Sequence, residues 1–331
     1  MTARRELGRG ERVLPGLWRL RLPLPFTGVP HCNAWAIASG SGIVLVDTGM
    51  HEPGSMTQLE RALDQVNLRI EHVRLVACTH AHSDHWGQAA PICERSGAPF
   101  WMHPNHEHAT RTAEDPELAL AHRIEIARQS GVPPDALRRY AERAREIPSG
   151  IARVIEPDRP LVNGVAIETD LGTWTVHETP GHAPSHVCLF QRERRLLISG
   201  DHVLGRISLF YDYSWTPDPV GEFLRSLGVV DELDARLAVS GHGRPFVDVH
   251  GHIEGNRTLV AERLDAVAAA TRAEPRTAAE ISPMIRSEAL DERNTPWVLQ
   301  ETLCYLQHLE LTGRVRREPD GETDRWRSTS E

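Results

Sequence analysis

The 331-residue sequence predicts a layered α/β fold, interrupted by a helical insertion and followed by a small, mostly helical C-terminal unit. Three observations predict it. Between positions 33 and 102, apolar β-rich runs alternate with helical spacings in the order β-β-α-β-α-β. A charged, helix-prone stretch at 105–149 then breaks the alternation before strands return. After about Gly255 the chain turns into helix-forming segments ending in a short β-prone tail.

Each element has its own signal. Residues 12–24 read as an irregular strand region broken by Pro15, Pro23 and Pro25. Positions 33–38 and 43–47 are β-rich, and Ser39-Gly40-Ser41-Gly42 makes a hairpin turn between them. Met56, Leu59, Leu63 and Val66 fall on one helical face. A buried strand at 72–78 leads through a His- and Asp-rich loop into a helix at 84–95 and a strand at 98–102. Asp115-Pro116 and Pro133-Pro134 divide the insertion into three short helices. Strands are expected at 161–176, 187–199 and 235–240, with an amphipathic helix at 219–233. Beyond this lie an Ala-rich helix at 257–270, a second opened by Thr277 with Glu280 at capping-box spacing, and a third at 296–311 stopped by Gly313. A hairpin around Pro319-Asp320-Gly321 would complete a winged-helix-like unit, with frayed final residues.

Composition narrows the function. Hydrophobic residues make up 40% and charged residues 25%, as in ordinary globular chains. The charged N-terminus carries no apolar signal segment and no run approaches the roughly 18–20 residues of a membrane span, so a soluble cytoplasmic protein is expected. A net charge of −9 disfavours a long polyanion as partner. Every basic residue other than histidine is arginine, a coding bias. The five cysteines are scattered and never form a CxxC pair, against a disulfide framework or a Cys-based zinc knuckle.

The chemistry is concentrated at strand ends. Thr79-His80-Ala81-His82-Ser83-Asp84-His85 follows a strand and precedes a helix. Two imidazoles at i and i+2 can converge on one metal, and the Asp and His behind them can reach a second. Imidazole and carboxylate without thiolate suit Zn²⁺, with Fe or Mn as alternatives. A bland reading makes the loop a solvated helix start with Asp84 near its N-terminus; four potential ligands so close together argue against it. Pro180-Gly181-His182, Gly200-Asp201 and Gly241-His242-Gly243 likewise end strands, each with a ligand beside small residues. Any one alone would be an ordinary turn.

With Val46-Asp47-Thr48-Gly49, these segments resemble the metallo-β-lactamase superfamily from about Gly16 to His250. The resemblance implies an αββα four-layer sandwich with the site at one edge of its two sheets. It assigns His80, His82 and His182 to metal one; Asp84, His85 and His242 to metal two; Asp201 to the bridge; and Asp47 to holding the ligand loop. A bridging Asp201 places the chain with the glyoxalase II, lactonase and ribonuclease Z branches. Thr179 to His186 is close to the style of glyoxalase-like thioester hydrolases, with His186 behind the ligands. The expected domains are 1–254, catalytic with 105–149 as a helical cap, and 255–331, winged-helix-like.

The expected function is therefore a di-metal hydrolase, two Zn²⁺ being the expected cofactors, that uses a metal-bridging hydroxide on a small thioester, ester or lactone. Asp84 would orient the hydroxide. In lactonase relatives a tyrosine soon after the bridging aspartate hydrogen-bonds the substrate carbonyl, and Tyr211 or Tyr213 is the candidate here. Phe210, Tyr211, Tyr213 and Trp215 suggest an apolar pocket wall, and His31 is a candidate to touch substrate. His103, His106, His108 and His122 are pocket or surface residues, since the ligand set is full without them. A metal-dependent endoribonuclease is the alternative, disfavoured by the acidity of the C-terminal unit at Glu274, Glu280, Glu288, Asp291, Glu292, Glu301 and Glu310. Packing on the catalytic domain or a homodimer contact is that unit's expected role. A mononuclear iron persulfide dioxygenase is weaker still, because the second ligand set is intact.

Overall fold

The computed structural model describes residues 7–26, 28–286 and 295–329. Glu288, Asp291 and Glu292, counted above in the acidity of the C-terminal unit, lie outside the described residues, as do the first six and last two positions.

A seven-stranded sheet runs in sequence order through β1 (Arg9–Leu14), β2 (Leu17–Pro23), β3 (His31–Ser39), β4 (Gly42–Val46), β5 (Val73–Ala77), β6 (Phe100–Met102) and β7 (Arg159–Pro160). It is antiparallel as far as β4 and parallel beyond. A five-stranded sheet faces it, built from β8 (Ala166–Thr169), β9 (Gly172–Glu178), β10 (Val187–Gln191), β11 (Leu196–Gly200) and β12 (Leu237–Ser240) in the order β12-β11-β10-β9-β8. Trp35, Val44, Val46 and Ala77 from the first sheet meet Trp174, Val176, Leu189, Ile198 and Val239 from the second in one buried layer. Alternate residues along each strand enter this layer, as the two-residue strand period requires.

Helices cover both outer faces, giving the four expected layers. Against the first sheet lie α1 (Ser55–Asp64), α2 (Ser83–Trp86) and α3 (Ala89–Ser96), the last contributing Ile92 beside Phe100. The insertion supplies α4 (Glu107–Glu114), α5 (Pro116–Gln129) and α6 (Pro134–Glu146). α7 (Pro219–Glu232) and α8 (Val249–Ala270) share an apolar cluster with the second sheet, α10 (Thr295–Leu311) packs on both helices and on the short α9 (Ala278–Ile281), and the hairpin β13 (Val315–Asp320)–β14 (Thr323–Ser328) follows. Among the described residues, no helix is long and apolar enough to cross a membrane. All five cysteines are unpaired thiols.

Several elements depart from the sequence expectation. The single helix expected at 84–95 is two, α2 and α3. Pro91 has no N–H to return to the Gly87 carbonyl and sits instead in the first turn of a new helix. The strand expected at 161–176 is the β8–β9 hairpin, turned at Asp170–Leu171 and re-entered by Gly172 at φ 103°. The one expected at 187–199 is the β10–β11 hairpin, whose turn holds Arg195 at φ 54°. The boundary expected at 254/255 falls inside the continuous α8. Moreover, Phe190, Leu197, Val220 and Leu227 share one buried cluster with Val260, Leu303, Tyr305 and Leu306, so the C-terminal unit and the second sheet have a common core.

Candidate metal centre

Topology gathers the ligands. β9 and β11 each pair antiparallel with β10, and β11 pairs parallel with β12, so all three point the same way. Their C-terminal ends, and those of the parallel β4 and β5, open along one edge of the sandwich. The loops that follow carry Asp47, His80–His85, His182, Asp201 and His242. Backbone bonds lace them together: Val187 N–H donates to Thr79 O at 2.8 Å and Asn33 N–H to Gly241 O at 2.7 Å. Asn33 also donates its side-chain amide to Ser240 O and Gly243 O, at 2.8 and 3.0 Å, fixing the His242 loop from β3.

His80 Nε2 and His182 Nε2 each stand 3.0 Å from His82 Nδ1. His242 Nε2 lies 3.3 Å from Asp84 Oδ2, and His85 Nε2 3.7 Å from the same oxygen. Asp201 lies between the two sets: its Oδ2 is 3.1 Å from His242 Nε2 and 3.8 Å from His182 Nε2, and its Oδ1 is 3.6 Å from His85 Nε2. All seven predicted ligands thus converge. Gly241 makes room for this, because a Cβ there would fall 2.1 Å from Asp201 Oδ1.

The outward ring nitrogens find acceptors, which aim the inward lone pairs. His85 Nδ1 is 2.9 Å from Asp47 Oδ2, and His242 Nδ1 donates to the His31 carbonyl at 2.9 Å. His80 Nδ1 meets the Thr79 hydroxyl at 3.0 Å, and that hydroxyl reaches the Asp47 carboxylate. His82 Nε2 is 2.9 Å from Asp212 Oδ2. Each arrangement leaves one ring nitrogen as a bare acceptor facing the centre. Asp47 itself is fully buried at φ 63°, a left-handed conformation that Asp tolerates better than most residues.

The residues fit divalent cations. Buried His85 Nε2 and Asp201 Oδ1 have no hydrogen-bonding partner, an expensive state unless a cation satisfies them. The nitrogens of His80, His82 and His182 lie within 4.8 Å of one another, as do the ligand atoms of Asp84, His85 and His242. Charge agrees. Burial opposes protonation of His242, yet Asp201 and Asp84 raise it to about 10, and burial is likewise overcome at His85 by Asp84, Asp201 and Asp47. Burial also works against ionisation of Asp84 and Asp201, but His85 and His242 hold both carboxyls below the usual range. Burial, reinforced by the neighbouring histidines, depresses His80, and His182 to about 3. The second set therefore attracts positive charge; in the first, burial opposes protonation of His82 but Asp212 raises it, while His80 and His182 offer neutral imidazoles. Seven N and O donors without a thiolate match Zn²⁺, Fe or Mn.

Other candidates are placed differently. Tyr211 is not at the centre: it is fully buried in the apolar core, with ring centroids 5.5 Å from Phe223 and 5.8 Å from Tyr305. Tyr213 packs towards the same C-terminal core and lines a small surface cavity with Pro217, Gln307, Arg317 and Trp326. Neither hydroxyl takes the substrate-facing role expected of it. The residue between them, Asp212, turns to the ligands instead. His186 does stand behind the ligands, its Nε2 accepting the Asp201 backbone N–H at 3.0 Å. His103 pairs with Glu178 at 2.8 Å, His106 stacks on Trp86, and His122 is exposed.

Asp212 is the residue beside the candidate ligands that sequence reasoning missed, and His108, expected in the pocket or at the surface, is its buried partner. Asp212 Oδ2 also accepts from His108 Nδ1 at 2.9 Å. His108 Nε2 is 2.8 Å from Ser185 Oγ, which accepts the Ala81 N–H at 3.0 Å. Helix α4 of the insertion is thereby tied to the first ligand set, while every residue of α6 keeps some solvent exposure. An acid between two tyrosines was the only available signal, and chain direction there is set by tertiary contacts.

A sandwich with this metal-ligand edge defines a class, and the sequence profile of the metallo-beta-lactamase superfamily matches residues 27–242, so the chain belongs to that superfamily. A second profile, the metallo-beta-lactamase-like C-terminal domain, matches 264–329. Among solved structures, a metallo-beta-lactamase family protein from Thermus thermophilus, TTHA1429, superposes with a TM-score of 0.82 at 28% identity, covering 96% of this chain and all (100%) of that one. A beta-lactamase domain protein from Burkholderia ambifaria gives 0.83 at 28% identity, covering 97% and 94%. Among sequences, the probable metallo-hydrolase YqjP of Bacillus subtilis is 24% identical over 92% of this chain and 95% of its own length. The thioesterase pkgB of Emericella nidulans is 25% identical over 66% of this chain, but the match spans only 47% of that protein.

Proposed function

We propose that the protein is a di-metal hydrolase of the glyoxalase II- and lactonase-like kind, cleaving a thioester, ester or lactone of a small molecule. The observation that carries this reading is Asp201, lying between two complete ligand sets with a buried oxygen that accepts no hydrogen bond. The similarity to proteins named metallo-hydrolase and thioesterase supports it.

His80, His82 and His182 would hold one cation and Asp84, His85 and His242 the other, with Asp201 shared. Such cations supply Lewis-acid polarisation of a carbonyl and acidify a water at neutral pH. The chain's own residues do the rest. Asp47, Asp212 and the His31 carbonyl fix the imidazoles so that their lone pairs need no reorganisation. Asp84 is the ligand carboxylate nearest the opening, its side chain 16% exposed against 9% for Asp201. One of its oxygens faces His242, leaving the other to accept a hydrogen bond from the attacking water and orient it. The test is a panel of thioesters, lactones, aryl esters and structured RNA, run beside metal analysis and Asp84→Ala. About two Zn, Fe or Mn ions per chain, and ester-type cleavage lost in the variant, are expected. Cleavage of RNA alone, or one iron per chain with oxygen uptake on a persulfide, would overturn the reading.

A further inference from the structure

Three aromatic side chains from distant segments line up beside the first ligand set. Phe210 has ring centroids 5.5 Å from both His82 and His182. Trp297, in the first turn of α10, meets Phe210 edge-on at 6.5 Å and Phe26, from the β2–β3 loop, at 6.0 Å. Phe26 and Phe210 are only partly buried, and Trp297 is 46% exposed. Single exposed hydrophobics are ordinary on protein surfaces. A row of three from three parts of the chain, starting in contact with two candidate metal ligands, is not. α10 is also pinned there: one turn on, Gln300 Nε2 donates to Tyr211 O at 2.9 Å, anchoring the helix to the strand of chain that carries Phe210 and Asp212.

We infer that Phe210, Trp297 and Phe26 form the wall that receives an apolar acyl or aryl group of the substrate, and that Trp297 makes the C-terminal unit a determinant of substrate specificity. The inference rests on the hydrolase reading for the reaction, but not for the binding. An aromatic wall offers a large, rigid contact area at little entropic cost. Its first member touches His82 and His182, so a carbonyl at the centre would lay its attached chain along Phe210 towards Trp297. The occupant is accordingly an acyl compound with an extended apolar group rather than an acetyl or other short polar one.

The test uses inert thioethers, S-decyl- and S-methyl-N-acetylcysteamine, titrated calorimetrically into the metal-loaded full chain. The decyl compound is expected to bind at least about tenfold more tightly, the order of gain from burying one large apolar contact. Trp297→Ala should lose most of that preference with metal content unchanged, Trp297→Phe should keep much of it, and Phe26→Ala should weaken it from a separate segment. Equal binding of the two thioethers by the native chain, or a full preference retained in both alanine variants, would overturn the inference. A chain-length preference without hydrolysis of the decanoyl thioester would sink the hydrolase reading and leave the wall standing. Hydrolysis without the preference would do the reverse.

Discussion

His82 and His85 sit in one short loop, yet they are steadied from different parts of the molecule. His85 leans on Asp47 at the end of β4, inside the sandwich, where the Thr79 backbone and hydroxyl also converge on the same carboxylate. His82 leans on Asp212, in the long connection before α7, and Asp212 is itself fixed by His108 from the insertion. Hydrogen-bond partners of this kind orient metal ligands and set their basicity. The second ligand set is therefore supported by the core sheet, which every folded molecule must form. In the first, His80 shares that support through Thr79, whereas His82 depends on an insertion and a loop that the sandwich does not itself require.

Variants can break or sharpen this contrast. The largest effect is expected for Asp201→Ala, which removes the residue common to both sides: both ions should be lost, and any hydrolysis should fall roughly a thousandfold, checked by metal analysis and turnover together. Asp47→Asn should come next. It unsettles His85 directly and His80 through Thr79, lowering affinity for the second ion by roughly 10- to 100-fold and for the first by less, measured by competition with a chelating dye. Asp212→Asn should weaken the first ion instead, by about tenfold. Cobalt substitution would separate the two by their spectra, and equal loss of both ions in both variants would remove the distinction. Smallest is Tyr213→Phe, which should leave turnover within about twofold because surface changes away from the chemistry are usually mild.

How much of this could be read beforehand follows the same division. All seven candidate ligands were legible because they fall in four segments that each follow an apolar run, a pattern carried by local sequence. The helices of the insertion were legible from its charged, proline-punctuated sequence, whereas the arrangement into two sheets came from the family resemblance. The hairpin turns at Asp170–Leu171 and Arg192–Arg195 were not, because each is too short to interrupt a β-rich window. Nor was β7, which is two residues, Arg159–Pro160, paired to β6. The tyrosines misled for a different reason. Between β11 and α7 the chain has no regular period, so packing against Phe223 and Tyr305 turns Tyr211 inward and leaves Asp212 at the ligands. Only tertiary structure decides such an orientation.

The run of α8 through the expected domain border has a mechanical consequence. Val249 and Ile253 near its start and Val260 and Val267 further on belong to the same apolar mass as Phe223 and Tyr305. Severing the chain at 254/255 would cut a helix in mid-course and leave α7 without the apolar side chains of α8 and α10 that pack around it. The tail is thus no detachable accessory: heat should melt both parts together in a single calorimetric peak, and a shortened chain should clump rather than fold.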